Sequence, residues 1–465
     1  MRIAWRRGAD VRTAALRRGA RRCVPAAACA GPASSAVRAA VCAAVCAALV
    51  LPAAPPAAAA GPHPGPYAFA PGARAVTGAR NAAGAALLDP GRTYRGTLPR
   101  NGRLYYRLKL AAADTAYVPV TAVPPADATV SATDGIRVSL RDAQGTACSY
   151  ASARFGAGLS PRPVTASGQR ETGKSLCQGA GTFQLLVERL DARGSGAAAP
   201  AGAWDLEIAP ATEPALAHPG ATTAPRARDS DTPGPLTAAP RDRSGGTGFA
   251  AARPLGEGVW RTRLEPGQTR FYKVPLDWGR QLYASAGLGD SPGHGYVGGA
   301  LNLSLYNPVR GYVDDASVGY TGTAGPAALQ PLPPVEYANR YAVPTAVTSV
   351  RFAGDYYLVL HLSARMTGTF GPGPFEVTLR VRVGGRAHPG PGYAGRPVPD
   401  GVLTVTGQDR TAALTGATGD GGDLTMTLAA VGGIGGGTVL LLFLGGWTVT
   451  ARRAQRRASA QKPTA

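Results

Sequence analysis

The stretch Tyr94-Arg95-Gly96-Thr97-Leu98, followed after a turn by Leu104-Tyr105-Tyr106-Arg107-Leu108-Lys109-Leu110, returns about 166 residues later. Its second form is Trp260-Arg261-Thr262-Arg263-Leu264, a turn, and Arg270-Phe271-Tyr272-Lys273-Val274-Pro275-Leu276. In the first copy Leu104, Tyr106, Leu108 and Leu110 alternate with Tyr105, Arg107 and Lys109, the period of two that marks a half-buried strand. The second copy keeps the phase, with Tyr272, Val274 and Leu276 falling opposite Tyr106, Leu108 and Leu110. The intervening turns carry Asn101-Gly102 and Pro266-Gly267, which suit a hairpin. Tyr117 then matches Tyr283 at the same offset.

The correspondence runs on after a one-residue slip. Ile136-Arg137-Val138-Ser139-Leu140 answers Leu301-Asn302-Leu303-Ser304-Leu305, and Ala180-Gly181-Thr182-Phe183-Gln184-Leu185 answers Ala353-Gly354-Asp355-Tyr356-Tyr357-Leu358. A last alternating strand, Trp204-Asp205-Leu206-Glu207-Ile208, answers Phe375-Glu376-Val377-Thr378-Leu379. Each copy supplies several short strands with turn punctuation and no convincing helix. The expected fold class is all-β, with two tandem antiparallel β-sandwich (jelly-roll-like) domains over 85–210 and 249–385.

This order of turns, paired aromatics, aliphatic strand and Ala-Gly-x-aromatic-x-Leu segment resembles the bacterial pre-peptidase C-terminal (PPC-like) domains, over roughly 85–210 and 250–385. The resemblance implies small sandwich modules on secreted proteins, generally non-catalytic, that accompany hydrolases or surface proteins and aid binding, targeting or secretion. No protease or other catalytic domain accompanies the modules in this chain. The resemblance is therefore to an actinobacterial-type surface protein built of the modules alone. Arg outnumbers Lys so heavily that only Lys109, Lys174, Lys273 and Lys462 stand among the 49 basic residues, which agrees with a GC-rich genome.

The net charge of +21 invites a nucleic-acid partner, but its distribution argues against one. Basic residues concentrate before Arg38 and after Ala451, and the centre has no dense basic run. Residues 1–60 read as a signal peptide: a basic leader, the uncharged run Ala39 to Leu51, and Ala58-Ala59-Ala60 before Gly61 as a small-residue cleavage site. The leader is long, which fits either a true start near Val24 or Val37 or an uncleaved anchor. At the other end no charge occurs between Asp423 and Arg452, and Val439-Leu440-Leu441-Leu442-Phe443-Leu444 lies within that run. Residues 424–451 are expected to form one C-terminal transmembrane helix, with 452–465 as a basic cytoplasmic tail. The expected localisation is the plasma membrane, single-pass, with the bulk of the chain extracellular. Gly432 and Gly436 have the small-xxx-small spacing of a weak homodimer contact. The remaining segments read as linkers: 61–84, a disordered connector over 211–248, and a juxtamembrane linker over 386–423 in which Val402-Leu403-Thr404-Val405 could add a strand.

Four of the six cysteines lie in the leader, leaving Cys148 and Cys177 in the mature chain. In an oxidising compartment two cysteines flanking a loop most simply form a disulfide. No cofactor motif, metal spacing or catalytic constellation emerges. Gly289-Asp290-Ser291-Pro292-Gly293 is a turn, because Pro292 replaces a glycine whose amide a serine-protease loop would use. His361 sits inside an expected strand. Asp314-Asp315 is either a solvated loop pair or part of a calcium site. Asn302-Leu303-Ser304 matches a glycosylation acceptor, but within a strand.

The two copies diverge between Gly145 and Ala180 in one and between Gly311 and Ala353 in the other. The second version is rich in tyrosine, and Tyr312, Tyr320, Tyr337 and Tyr341 are candidates for a binding surface, against the alternative that they cover the sandwich rim. The preferred function is a non-catalytic, membrane-anchored surface protein that binds an envelope protein or cell-wall polysaccharide. The runner-up is an accessory subunit of, or a divergent, extracellular hydrolase.

Overall fold

The computed structural model describes residues 66–191, 202–225, 234 and 236–416, all within one compact unit that begins at Pro62. The first module comprises β1 (Arg74–Ala75), β2 (Ala86–Leu87), β3 (Tyr94–Leu98), β4 (Arg103–Leu110), β5 (Thr115–Val123), β6 (Gly135–Arg141), β7 (Ala147–Arg154), β8 (Val164–Arg170), β9 (Gly181–Leu190), β10 (Trp204–Ile208) and β11 (Ala211–Glu213). The second comprises β12 (Arg241–Asp242), β13 (Arg253–Pro254), β14 (Gly258–Leu264), β15 (Thr269–Leu276), β16 (Arg280–Leu288), β17 (Val297–Tyr306), β18 (Tyr312–Tyr320), β19 (Ala327–Ala328), β20 (Gly354–Leu362) and β21 (Phe375–Gly385).

The two modules have the same topology. One sheet of the first runs β1-β3-β10-β5, with β8 on the far edge of β5, and its counterpart in the second runs β12-β14-β21-β16-β19. The other sheets run β2-β4-β9-β6-β7 and β13-β15-β20-β17-β18. Equivalent residues also share register: Tyr106 pairs with Leu185 as Tyr272 pairs with Leu358, and Val138 with Val187 as Leu303 with Leu360. The all-β class is thus established, and the duplication seen in the sequence is a duplication of strand order.

Burial follows the alternation. Along β4 the side chains of Leu104, Tyr106, Leu108 and Leu110 are buried and the intervening ones are not, and Tyr272, Val274 and Leu276 do the same on β15. Each sandwich encloses its own core, with Trp204 in one and Trp260 in the other among the largest fully buried side chains. At roughly 25 cal/mol per Å2 of apolar surface removed from water, burying one such large side chain stabilises the fold by several kcal/mol before the entropy of ordering it.

Four segments differ from expectation: within 61–84, read as a linker, β1 pairs in parallel with β3 and Ala79 bridges Tyr105. Within 211–248, β11 continues β10 in the same register along β5 beyond Pro210, and β12 pairs in parallel with β14. The start of this stretch is ordered because Glu213, 1% exposed, is a buried carboxylate that must be paired. Within 386–423, Val402–Val405 forms no strand: Val402 and Thr404 donate back to Pro399 and Gly401, and Leu403 turns into an apolar cluster with Tyr117, Val309 and Phe352. The same stretch contains a helix, Gly407–Thr415, whose first turn is closed by a reciprocal bond between Thr406 and Asp409. The enlarged loop of the second module holds a short helix, Thr345–Thr348, and another, Met366–Phe370, lies between β20 and β21. No described helix is long and apolar enough to cross a membrane, and the segments assigned to the signal peptide and to the span at 424–451, with Gly432 and Gly436, lie outside the described residues.

Candidate functional site

The two sandwiches meet through polar groups that the repeat pattern does not share. Glu213 accepts hydrogen bonds from the Tyr117 hydroxyl at 2.9 Å and the Tyr393 hydroxyl at 3.0 Å, and forms an ion pair with Arg340 at 2.7 Å. Arg351, from the loop before β20, donates to the Tyr117 hydroxyl at 3.2 Å and to Glu171 at 3.1 Å. Burial drives the Tyr117 phenol far above its usual pKa, Arg351 opposing the rise and Glu213 adding to it, so the hydroxyl stays protonated and serves as a donor. Nearby, Glu207 accepts from Ala70 N–H at 2.9 Å and pairs with Arg310 of the second module.

A second set of contacts lies on the other side of this junction. His361 on β20 shares 2.9 Å hydrogen bonds with Thr269 through Nδ1 and with Ser160 through Nε2, and Ser160 also accepts from Ala364 N–H at 2.9 Å. Ser160 is fully buried, and the histidine faces two hydroxyls with no carboxylate behind it. Burial holds the His361 pKa well below 6.5, and Arg162 pushes it the same way, so the ring is neutral. This is a packed junction rather than an exposed nucleophile and base.

Between these contacts the modules leave a cavity of about 660 Å3. Its first-module wall comes from β7, the turn after it and β8; its second-module wall comes from β17, β18 and the segment 345–351. Two aromatic side chains in the lining are open to solvent, Tyr150 of β7 at 74% and Tyr312 of β18 at 45%. Around Tyr312 the polar groups are held in a chain: its hydroxyl and the Asn302 amide both donate to Asp315, and Ser304 donates to the Asn302 side-chain oxygen at 2.8 Å. Tyr306 packs edge-on against Tyr312 with ring centroids 6.2 Å apart, and burial raises its pKa to about 12. Planar amide, carboxylate and hydroxyl groups beside open aromatic faces can accept and donate to ring hydroxyls while stacking on an apolar sugar face.

The four tyrosines singled out from the sequence do not form one surface. Tyr312 lines the cavity, but Tyr320, eight positions along the same strand, is fully buried, and its hydroxyl donates to Gly289 at 2.6 Å. Tyr337 sits under the Arg340 guanidinium, 3.4 Å from the ring centroid, and Tyr341 is 43% exposed in the same short turn. Cys148 and Cys177 are joined with Cα atoms 5.5 Å apart, tying the start of β7 to the loop after β8. Asp314 accepts from Gln330 N–H, and among the described residues no group of three or more His, Cys, Asp or Glu side chains could hold a metal ion. Sequence reasoning passed over Tyr150, Arg162 and Tyr306 as site residues. Asn302, Ser304 and Asp315 did stand out, but for other chemistry, because nothing local shows that both modules contribute to one cavity.

No family model and no curated protein matches the chain. Among solved structures, the CUB1-EGF-CUB2 domain of human MASP-1/3 aligns at 9% identity and a TM-score of 0.16, covering 62% of this chain and 99% of that one. The N-terminal CBM22-1-CBM22-2 tandem domain from Paenibacillus barcinonensis aligns at 13% identity and a TM-score of 0.17, over 64% and 92% of the two chains. The tandem CBM51 modules of a family 98 glycoside hydrolase from Streptococcus pneumoniae align at 8% identity and a TM-score of 0.16, over 63% and 83%. Likenesses this loose do not establish a shared fold.

Proposed function

We propose that this chain is a non-catalytic, membrane-anchored cell-surface protein whose junction cavity binds an envelope polysaccharide. The observation that carries the reading is the pairing of two solvent-open tyrosines, Tyr150 and Tyr312, one from each module, in a cavity whose second-module wall is a chain of amide, carboxylate and hydroxyl groups. Tyr offers a stiff, broad face at small entropic cost, on which a sugar ring can stack while the neighbouring polar groups reach its hydroxyls. Anchoring rests on the basic leader and the uncharged run before Arg452. The absence of catalysis rests on the burial of Ser160 beside His361 and on the engagement of Asp315 by two donors.

The test is co-sedimentation of the full chain, purified in detergent, with insoluble cell-wall material. Retention that drops about tenfold in Tyr150→Ala and Tyr312→Ala, a loss of about 1.4 kcal/mol, supports the reading. Retention indifferent to both variants, or crosslinking on cells to a protein partner without retention on the wall, overturns the polysaccharide. Release of reducing sugar from a polysaccharide panel overturns the non-catalytic part.

A further inference from the structure

We infer that the group seated in the junction cavity is an anion, the carboxylate or phosphate of an acidic polysaccharide, held by Arg162 and Arg154. The inference rests on the glycan-binding reading and adds charge to it. Three arginines line the cavity, Arg154, Arg162 and Arg351, against one acidic residue, Asp315. Arg351 is committed to Glu171, and Asp315 to the Tyr312 hydroxyl and the Asn302 amide. Arg162 donates only to backbone carbonyls, those of Phe155 at 2.6 Å and Arg154 at 3.3 Å, and Arg154 donates to the Thr133 carbonyl at 2.9 Å. Among the described residues neither forms an ion pair.

A guanidinium carries five N–H donors, so Arg162 keeps several beyond the two it uses. Burial lowers the Arg162 pKa, the direction expected of a desolvated cation whose charge is incompletely compensated, although Tyr306 and Asp315 pull the other way. A carboxylate or phosphate in the cavity would supply the missing charge and can be gripped in a fork by a planar guanidinium. A wholly neutral glycan would instead leave two cations facing a partly desolvated ligand with no counter-charge.

The experiment measures binding of the detergent-purified full chain to three soluble polymers: polygalacturonate, a poly(glycerol phosphate), and a neutral glucan, each at low and high salt. The expected result is binding of at least one acidic polymer about tenfold or more tighter than the glucan, weakening as salt rises. The tighter of the two acidic polymers identifies the source of the anion. Arg162→Gln should reduce acidic binding about tenfold, with Arg162→Lys restoring part of it. Because Arg162 also caps backbone carbonyls, the exposed Arg154→Gln serves as a second variant that leaves the fold intact, with a loss of a fewfold. Glucan binding as tight as acidic binding, and lost in Tyr312→Ala, overturns the anion while leaving the glycan reading standing. Acidic binding unmoved by either Arg variant also overturns it. Failure to bind any polymer, with wall retention absent as well, overturns the glycan reading itself.

Discussion

Gly299 of the second module lies so close to Gly158 of the first that a Cβ on Gly299 would stand 2.7 Å from the Gly158 backbone nitrogen. Gly299 also has φ +60, a conformation that costs an L side chain energy, and both residues border the junction cavity. The two backbones touch there without side chains between them, and this contact sets the spacing of the cavity walls.

Gly299→Ala should therefore act at the junction. The clash and the positive φ together predict a loss of at least about 2 kcal/mol, and a wider cavity. Urea denaturation checks the first and glycan retention the second. A variant as stable as the parent, with unchanged retention, would show that the close approach has no mechanical role.

Glu213→Gln tests the ion network. The substitution keeps the volume but leaves Arg340, only 12% exposed in its side chain, without its counter-charge, and leaves one acceptor oxygen where two served Tyr117 and Tyr393. Breaking a buried pair on one side typically costs about 3–5 kcal/mol. The denaturation midpoint should fall accordingly, and a midpoint within experimental error of the parent contradicts this account.

The two tyrosines of β18 should separate binding from stability. Tyr312→Ala, which gives up the hydrogen bond to Asp315 and the edge contact with Tyr306, is expected to cost about 0.5–1.5 kcal/mol while lowering glycan retention. Tyr320→Phe is expected to cost about 0.5–1.5 kcal/mol, from the lost bond to Gly289, with retention preserved. The reverse pattern would place the ligand elsewhere.

His361 predicts a pH dependence. Its folded pKa lies well below 6.5, so the unfolded state takes up a proton first as pH falls. Its full contribution to stability is present above pH 6.5 and is lost progressively below it, down to the pH at which the folded ring protonates. The limiting slope is about 1.4 kcal/mol per pH unit. Thermal melts from neutral to acid pH should show this slope, and His361→Gln should flatten it; an unchanged slope in the variant assigns the effect to other groups.

Opening the Cys148–Cys177 bridge, which spans a sequence separation of 29, should cost roughly 3–4 kcal/mol on the chain-entropy model. The loss should register in melts of the Cys148→Ala, Cys177→Ala double variant. Equal melting temperatures for the double variant and the parent would refute it.

Much of the scaffold was legible in the chain, for a local reason. Side chains alternate across a strand, so Tyr106 with Leu108, and Tyr272 with Val274, declare their inward faces without knowledge of any partner. The recurrence of that pattern determined two sandwiches, and Cys148 and Cys177, the pair left outside the leader, supplied the bridge. What the linear pattern could not express was contact between the copies. Glu213, read as the start of a connector, becomes a buried acceptor only because Tyr117, Arg340 and Tyr393 converge on it from distant parts of the chain. Tyr312 and Tyr320 stand an even number of positions apart, yet one opens into the cavity and the other closes the core, because the register shift between Leu305 and Tyr306 turns Tyr312 to the face of Asp315 and Ser317 while Tyr320 stays on the inward face with Ala316 and Val318. The sequence by itself determined the modules, since strand faces are set by neighbours two residues apart. The tertiary structure alone decided the site, since its two walls come from residues more than a hundred positions apart and have meaning only when the modules dock.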